Sequence, residues 1–147
     1  MPRIVALDVG DATVGVAASD ELNITANPVR VIRRGQSIKA DLRAVEELLA
    51  ELDASKVVVG LPLNAEGEEG PQAAKVRDFH TRLARRLRIP VELFDERFST
   101  ADAADILIEM DTSRAKRRKI IDKMAAAVIL EGYLKAVESG ERRATAE

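Results

Sequence analysis

Residues 56–60 (KVVVG) form an unbroken β-branched run, and no other segment constrains the fold as much. A strand that is apolar on both sides reads as a central parallel strand covered by other elements on both faces. The flanking segments fit that demand. Residues 3–7 (RIVAL) are a short apolar run ending at Asp8, and residues 13–18 (TVGVAA) read as a second strand paired to it across a Gly10-Asp11 turn. Residues 28–34 alternate apolar and polar and predict a third strand. Ser37 is a plausible helix cap, with Leu42, Val45, Leu48, Leu49 and Leu52 following at helical spacing.

Beyond the central run, residues 62–71 carry Asn64, Gly67 and Gly70 without periodicity and predict a loop. A basic amphipathic helix is expected over 72–87, with Ala73, Val76, Phe79, Leu83 and Leu87 inward. A fifth strand follows at 91–94. Ser99 with Asp102 fits a capping box opening a helix to about Met110. Residues 111–118 read as a basic loop, and a last helix is expected over 120–138. The order β-β-β-α-β-α-β-α-α implies an α/β fold. Its mixed five-stranded sheet, a three-strand meander and then βαβ units, has helices on both faces, the RNase H-like pattern. Order alone says nothing of function.

The 147 residues suit one domain, expected over 1–140 with a frayed tail at 141–147. With 3% aromatic residues, the core must come from Val, Ile, Leu and Ala. No apolar run approaches the roughly 20 residues that span a bilayer, and no signal peptide is evident. The absence of cysteine excludes disulfides, thiolate metal sites and thiol catalysis. These features set the cytoplasm as the expected location.

A net charge of −2 argues mildly against nucleic-acid binding. Distribution matters more than the sum. Arg30, Arg33, Arg34 and Lys39 form one basic cluster, and Arg82, Arg85, Arg86 and Arg88 a second. Arg114, Lys116, Arg117, Arg118 and Lys119 form a third, and together the three hold 13 of the 23 basic residues. Each is either a binding face or plain solvated surface.

Three acids stand where chemistry is expected. Asp8 ends the first strand, where a carboxylate is costly without a cation partner, and Gly10 lets a phosphate or metal approach the backbone. The alternative is a turn aspartate bonding its own backbone. Asp95-Glu96-Arg97 closes the fifth strand, and strands in such sheets deliver functional groups at their carboxyl ends. Adjacent acids on an extended chain point to opposite sides, so one of the pair is expected at the site and the other away from it. Arg97 suits an acid or a phosphate, although the trio also fits a surface ion pair. Asp122 is expected in the first turn of the last helix, where an acid complements the dipole. It also shares a face with Ala125, Ala126, Ile129 and Tyr133, small enough at 125 and 126 to bring the carboxylate toward the strand ends. Asp8, Glu96 and Asp122 together make an all-oxygen set suited to Mg²⁺ or Mn²⁺ and phosphoryl chemistry. Asn64 is placed to bond a phosphate or to stiffen a strand-exit turn. The lone His80 and the lone Tyr133 read as packing residues rather than as a catalyst and a stacking platform.

Four motifs in series, LDVGDATVGVA (7–17), VVGLPLNAEGEEGPQ (58–72), DERFST (95–100) and IDKMAAAVILEGYL (121–134), resemble the YqgF/RuvX family. That family is described as Holliday-junction resolvases and as nucleases maturing precursor 16S rRNA. The likeness runs from about residue 3 to 138. It implies an RNase H-like metal-dependent nuclease with one or two ions on Asp8, Glu96 and Asp122, and a monomer or homodimer. Gly10, Asp95, Ser99 and Thr100 fall in the matching motifs as accessory positions. Nucleic-acid contacts are expected from Asn64, Arg97, Arg114, Lys116, Arg117, Arg118 and Lys119, with precursor rRNA favoured over branched DNA. One departure is visible: the family often carries Lys or Arg in the turn after the D-x-G, and this chain has Ala12. Two other readings remain open. The D-x-G hairpin also opens the ATP-binding actin-like group, but that group closes two such domains around the nucleotide. A catalytically idle nucleic-acid-binding or ribosome-assembly module is the other.

Overall fold

The structure is a computed structural model describing residues 3–20, 22–95 and 114–138. Five strands, β1 (Arg3–Val9), β2 (Thr13–Ser19), β3 (Ala26–Arg33), β4 (Ala54–Leu61) and β5 (Val91–Asp95), form one sheet in the order β3-β2-β1-β4-β5. β1 to β3 are an antiparallel meander, while β4 lies parallel to β1 and β5 parallel to β4. Helices α1 (Ile38–Glu51), α2 (Pro71–Arg86) and α3 (Arg114–Glu138) complete the described elements.

Strand alternation divides the interior into two cores. Val5, Leu7 and Val9 of β1 join Val57, Val59 and Leu61 of β4 on the side packed by α1 and α2. Ala6 and Val58 face the other way, against Ala126, Ile129, Leu130 and Tyr133 of α3. Val57, Val58 and Val59 are all fully buried, as the β-branched run demands. Each is worth roughly 1.5–3 kcal/mol on burial, so a charge at Val58 would break the sheet at its centre. On the α3 side the facing residues are small, Ala6 and Ala17 against Ala126 and Ala127, and so the helix sits close to the sheet.

Local signals explain the boundaries. The Ser37 side chain accepts from the Ala40 N–H and starts α1. Pro71 takes the first position of α2, where its missing N–H costs nothing. Pro28 lies in β3, an edge strand, and the β2–β3 register shifts beside it between Val16 and Ala17. The start of the last helix differs from expectation. Residues 114–118, read as loop, are helical, and α3 opens at Arg114. The segment RAKRRK contains neither glycine nor proline and consists of good helix formers, so its charge was misleading and its propensity decisive. Two expectations, the capped helix at 99–110 and the tail at 141–147, lie outside the described residues.

Candidate active site

β1, β4 and β5 are parallel and end at the same edge of the sheet, where β1 delivers Asp8. Ile4 and Ala6 pack in the α3-side core, so alternation turns Asp8 to that side too. Its neighbours on that face are glycines. Asp8 pairs with Gly15 of β2, and Leu7 pairs with Val59, which sets Gly60 of β4 on its other flank. The two flanking positions on that face thus carry no side chain beside the half-buried carboxylate.

The position of α3 follows from contacts at the opposite edge. The Tyr133 hydroxyl donates to Glu92 at 2.7 Å, and Lys56 donates to Tyr133 at 3.1 Å. Tyr133 therefore packs over β4 and β5, in the core that holds Ala6, Val58 and Phe94. From Tyr133 back to Asp122 the helix advances about 16 Å. Position 122 lies on the helical row of Ala126, Ile129 and Tyr133, toward the start of α3. Asp122 is also eight residues inside α3, more than two turns from its start, so the helix dipole does not account for it. The expected first-turn placement is thus corrected. Arg114, Lys116, Arg117, Arg118 and Lys119 occupy the opening two turns of the same helix.

Asp95 closes β5 as a buried acid. It is 1% exposed, pairs with Leu61, and shares the α1/α2 side with Leu93, opposite to Asp8. Glu96, Arg97, Ser99 and Thr100 lie outside the described residues. Among the described residues no three carboxylate or imidazole groups converge on one point.

Asn64 organises its own loop. Its side-chain carbonyl accepts from Glu66 N–H at 3.0 Å and from Glu68 N–H at 2.9 Å, while its backbone carbonyl accepts from Gly67 at 2.9 Å. Gly67 has φ 81°, a left-handed conformation that glycine adopts without strain. Beyond this loop Arg77 forks onto Glu69 through 2.5 and 2.7 Å bonds, which hold the Glu69 carboxyl below its ordinary range. His80 is satisfied, its Nε2 lying 2.7 Å from the Val91 carbonyl, and Tyr133 packs edge-on against Phe94.

The structure also gives two basic residues unforeseen partners at this edge. Lys75 of α2 reaches Asp11 in the turn after β1 at 3.1 Å, bringing a cation to the turn that Ala12 leaves without one. Arg34, which the sequence groups with surface cations, is mostly enclosed. It bonds Asp41 at 2.9 Å and lies over the Phe79 ring. A buried aspartate inside the first turn of α1 was the available signal, but its partner seven residues upstream was not legible. In the second basic cluster, Arg82 pairs with Asp78 and Arg86 with Glu46.

The fold and this strand-end carboxylate define an RNase H-like α/β protein. The sequence model of the family described as "RuvX: Holliday junction resolvase" matches residues 2–136, and the chain belongs to that family. A relative from Symbiobacterium thermophilum, named "Putative pre-16S rRNA nuclease", is 52% identical over 91% of this chain and 92% of its own. One of the same name from Myxococcus xanthus is 48% identical over 91% of this chain and 88% of its own. Among solved structures, RuvC of Thermus thermophilus in complex with a Holliday junction substrate superposes with a TM-score of 0.60. It is 12% identical and covers 98% of this chain and 99% of its own, a likeness of fold.

Proposed function

We propose that this protein is a divalent-metal-dependent nuclease that hydrolyses phosphodiester bonds near the 5′ end of precursor 16S rRNA, in the cytoplasm, during ribosome assembly. The observation that carries this reading is Asp8. It ends the central strand pair on the α3 face with glycines on both flanks, in a family whose relatives bear that name.

The available donors fit a hard cation. Asp8, Glu96 and Asp122 offer carboxylate oxygens, the chain has no cysteine, and its one histidine is engaged with Val91. Mg²⁺ or Mn²⁺ held by these three residues would supply Lewis acidity and charge neutralisation to phosphoryl chemistry. The chain itself fixes Asp8 within a hydrogen-bonded ladder and closes the site from one side with α3. The first turns of α3 bind the substrate backbone through Arg114, Lys116, Arg117, Arg118 and Lys119, with Arg97 and the loop around Asn64 alongside. Cations at a helix N-terminus oppose the dipole at about 0.3–1 kcal/mol each. α3 has no acid in its first turn to offset this, and a polyanion would.

A second reading, resolution of four-way DNA junctions, is favoured by the family's description. Both are tested by presenting a precursor rRNA fragment and a synthetic junction in Mn²⁺, with EDTA controls. Metal-dependent cleavage of the RNA supports the proposal, and cleavage of the junction alone transfers it to DNA. Binding without cleavage of either makes the protein a non-catalytic module.

A further inference from the structure

The turn that follows Asp8 is held at both ends by one residue. Gly10, Asp11 and Ala12 connect β1 to β2, closed by the Gly10 N–H donating to the Thr13 carbonyl at 2.8 Å. The Arg34 backbone N–H donates to the Ala12 carbonyl at 2.9 Å, and its guanidinium Nη1 donates to the Gly10 carbonyl at 2.9 Å. The guanidinium is itself fixed from two other sides. Its Nε donates to Asp41 Oδ2 at 2.9 Å, and the Phe79 ring lies 5.3 Å from it. Asp41 is 4% exposed, and its second oxygen accepts from the Gly35 N–H at 2.7 Å. The turn has no slack of its own, since a Cβ on Gly10 would stand 3.3 Å from the Thr13 carbonyl.

We infer that Arg34, anchored by Asp41, is a positioning residue that sets the end of β1 and with it the Asp8 carboxylate for the metal. Asp8 lies two residues before the carbonyl that Arg34 grips. A strand end frays unless its last ladder bonds are backed from outside, and here the backing comes from a planar fork serving Asp41 and Gly10 at once. The arrangement couples the start of α1 to the site although α1 packs on the opposite face of the sheet. The inference rests on the metal-nuclease reading proposed above.

The sign of the effect separates positioning from simple charge. Arg34 is a cation close to a cation site, so removing it should by Coulomb's law tighten metal binding. Positioning predicts weaker binding. The experiment is calorimetric titration of Mn²⁺ into metal-free wild type, Arg34→Met, Arg34→Lys and, as an exposed control on the same strand, Arg30→Met. Hydrogen exchange at the Gly10 amide is followed in parallel. Arg34→Met keeps apolar contact with Phe79 but loses both side-chain hydrogen bonds. Its Mn²⁺ Kd should rise about tenfold and Gly10 exchange should quicken about tenfold. Arg34→Lys, whose single ammonium cannot serve Asp41 and Gly10 in fork geometry, should fold and lie between. Arg30→Met should match wild type. Should Arg34→Met not fold, a weakened Arg34→Lys still supports the inference and an unchanged one overturns it. Tighter or unchanged Mn²⁺ binding in the Arg34 variants, with normal binding by wild type, overturns it and leaves the nuclease reading standing. A wild type that binds no Mn²⁺ overturns both.

Discussion

Asp8 and Asp95 end strands at the same edge of the sheet, yet alternation turns them to opposite faces. That difference sets opposite consequences for their removal. Asp95 is buried on the side away from α3 and is not without an interaction partner. Asp95→Asn should retain cleavage while losing roughly 1–3 kcal/mol of stability, the cost of disturbing a buried carboxylate and its partner. At this chain length that is a fall of about 2–4 °C in Tm per kcal/mol. Asp122→Asn should do the reverse. Carboxylates gathered to receive a cation repel one another until it arrives, so the metal-free variant should melt at or slightly above wild type while turnover is nearly abolished. Thermal melts without metal and cleavage rates with Mn²⁺ decide the matter. A dead Asp95→Asn beside a normal Asp122→Asn would move the site to the other face.

α3 changes in composition along its axis. Its C-terminal half is a packing element, with Ile129, Leu130 and Tyr133 sealed against the sheet. Its opening turns are six residues of which five are basic, RAKRRK. If those turns follow a single-stranded backbone, each phosphate contact contributes about 0.7 to the slope of log affinity against log salt. Replacing Arg117 and Arg118 with Gln should lower that slope by about 1.4 and weaken binding alike across sequences. An unchanged slope would make these turns solvated surface. The same helix shows where sequence reading succeeds and fails. The apolar row through Ala126, Ile129 and Tyr133 has a period, and a period is legible. The helix start is set by propensity where the pattern is all charge, and no apolar period marks it. Arg34 was illegible for another reason: its partners Asp41, Gly10 and Phe79 meet only when α1, the β1–β2 turn and α2 are assembled around the end of β3.

For the whole molecule, five strands, two helices and most of the last helix were legible because each buries an apolar face with its own period. The central, doubly covered character of β4 followed from its β-branched run, whereas the strand order came only from the structure. Of the candidate site, the strand-end position of Asp8 was legible from the apolar run before it, whereas its face relative to Asp95 and its glycine flanks came from strand register that the sequence does not print. Both cores are built from apolar side chains. The metal-free protein should therefore melt cooperatively, with a Tm in EDTA within a few degrees of that in Mg²⁺. A transition abolished by chelator would mean that the metal helps build the fold. The account as a whole stands on Asp8. The most direct measurement is the single-turnover rate of cleavage of a precursor 16S rRNA fragment in saturating Mn²⁺ by wild type and by Asp8→Asn, each shown folded by its melt. The account predicts a rate at least about a hundredfold lower for Asp8→Asn, equivalent to about 2.7 kcal/mol of lost transition-state stabilisation, with Tm preserved. A folded Asp8→Asn that cleaves at the wild-type rate would contradict it.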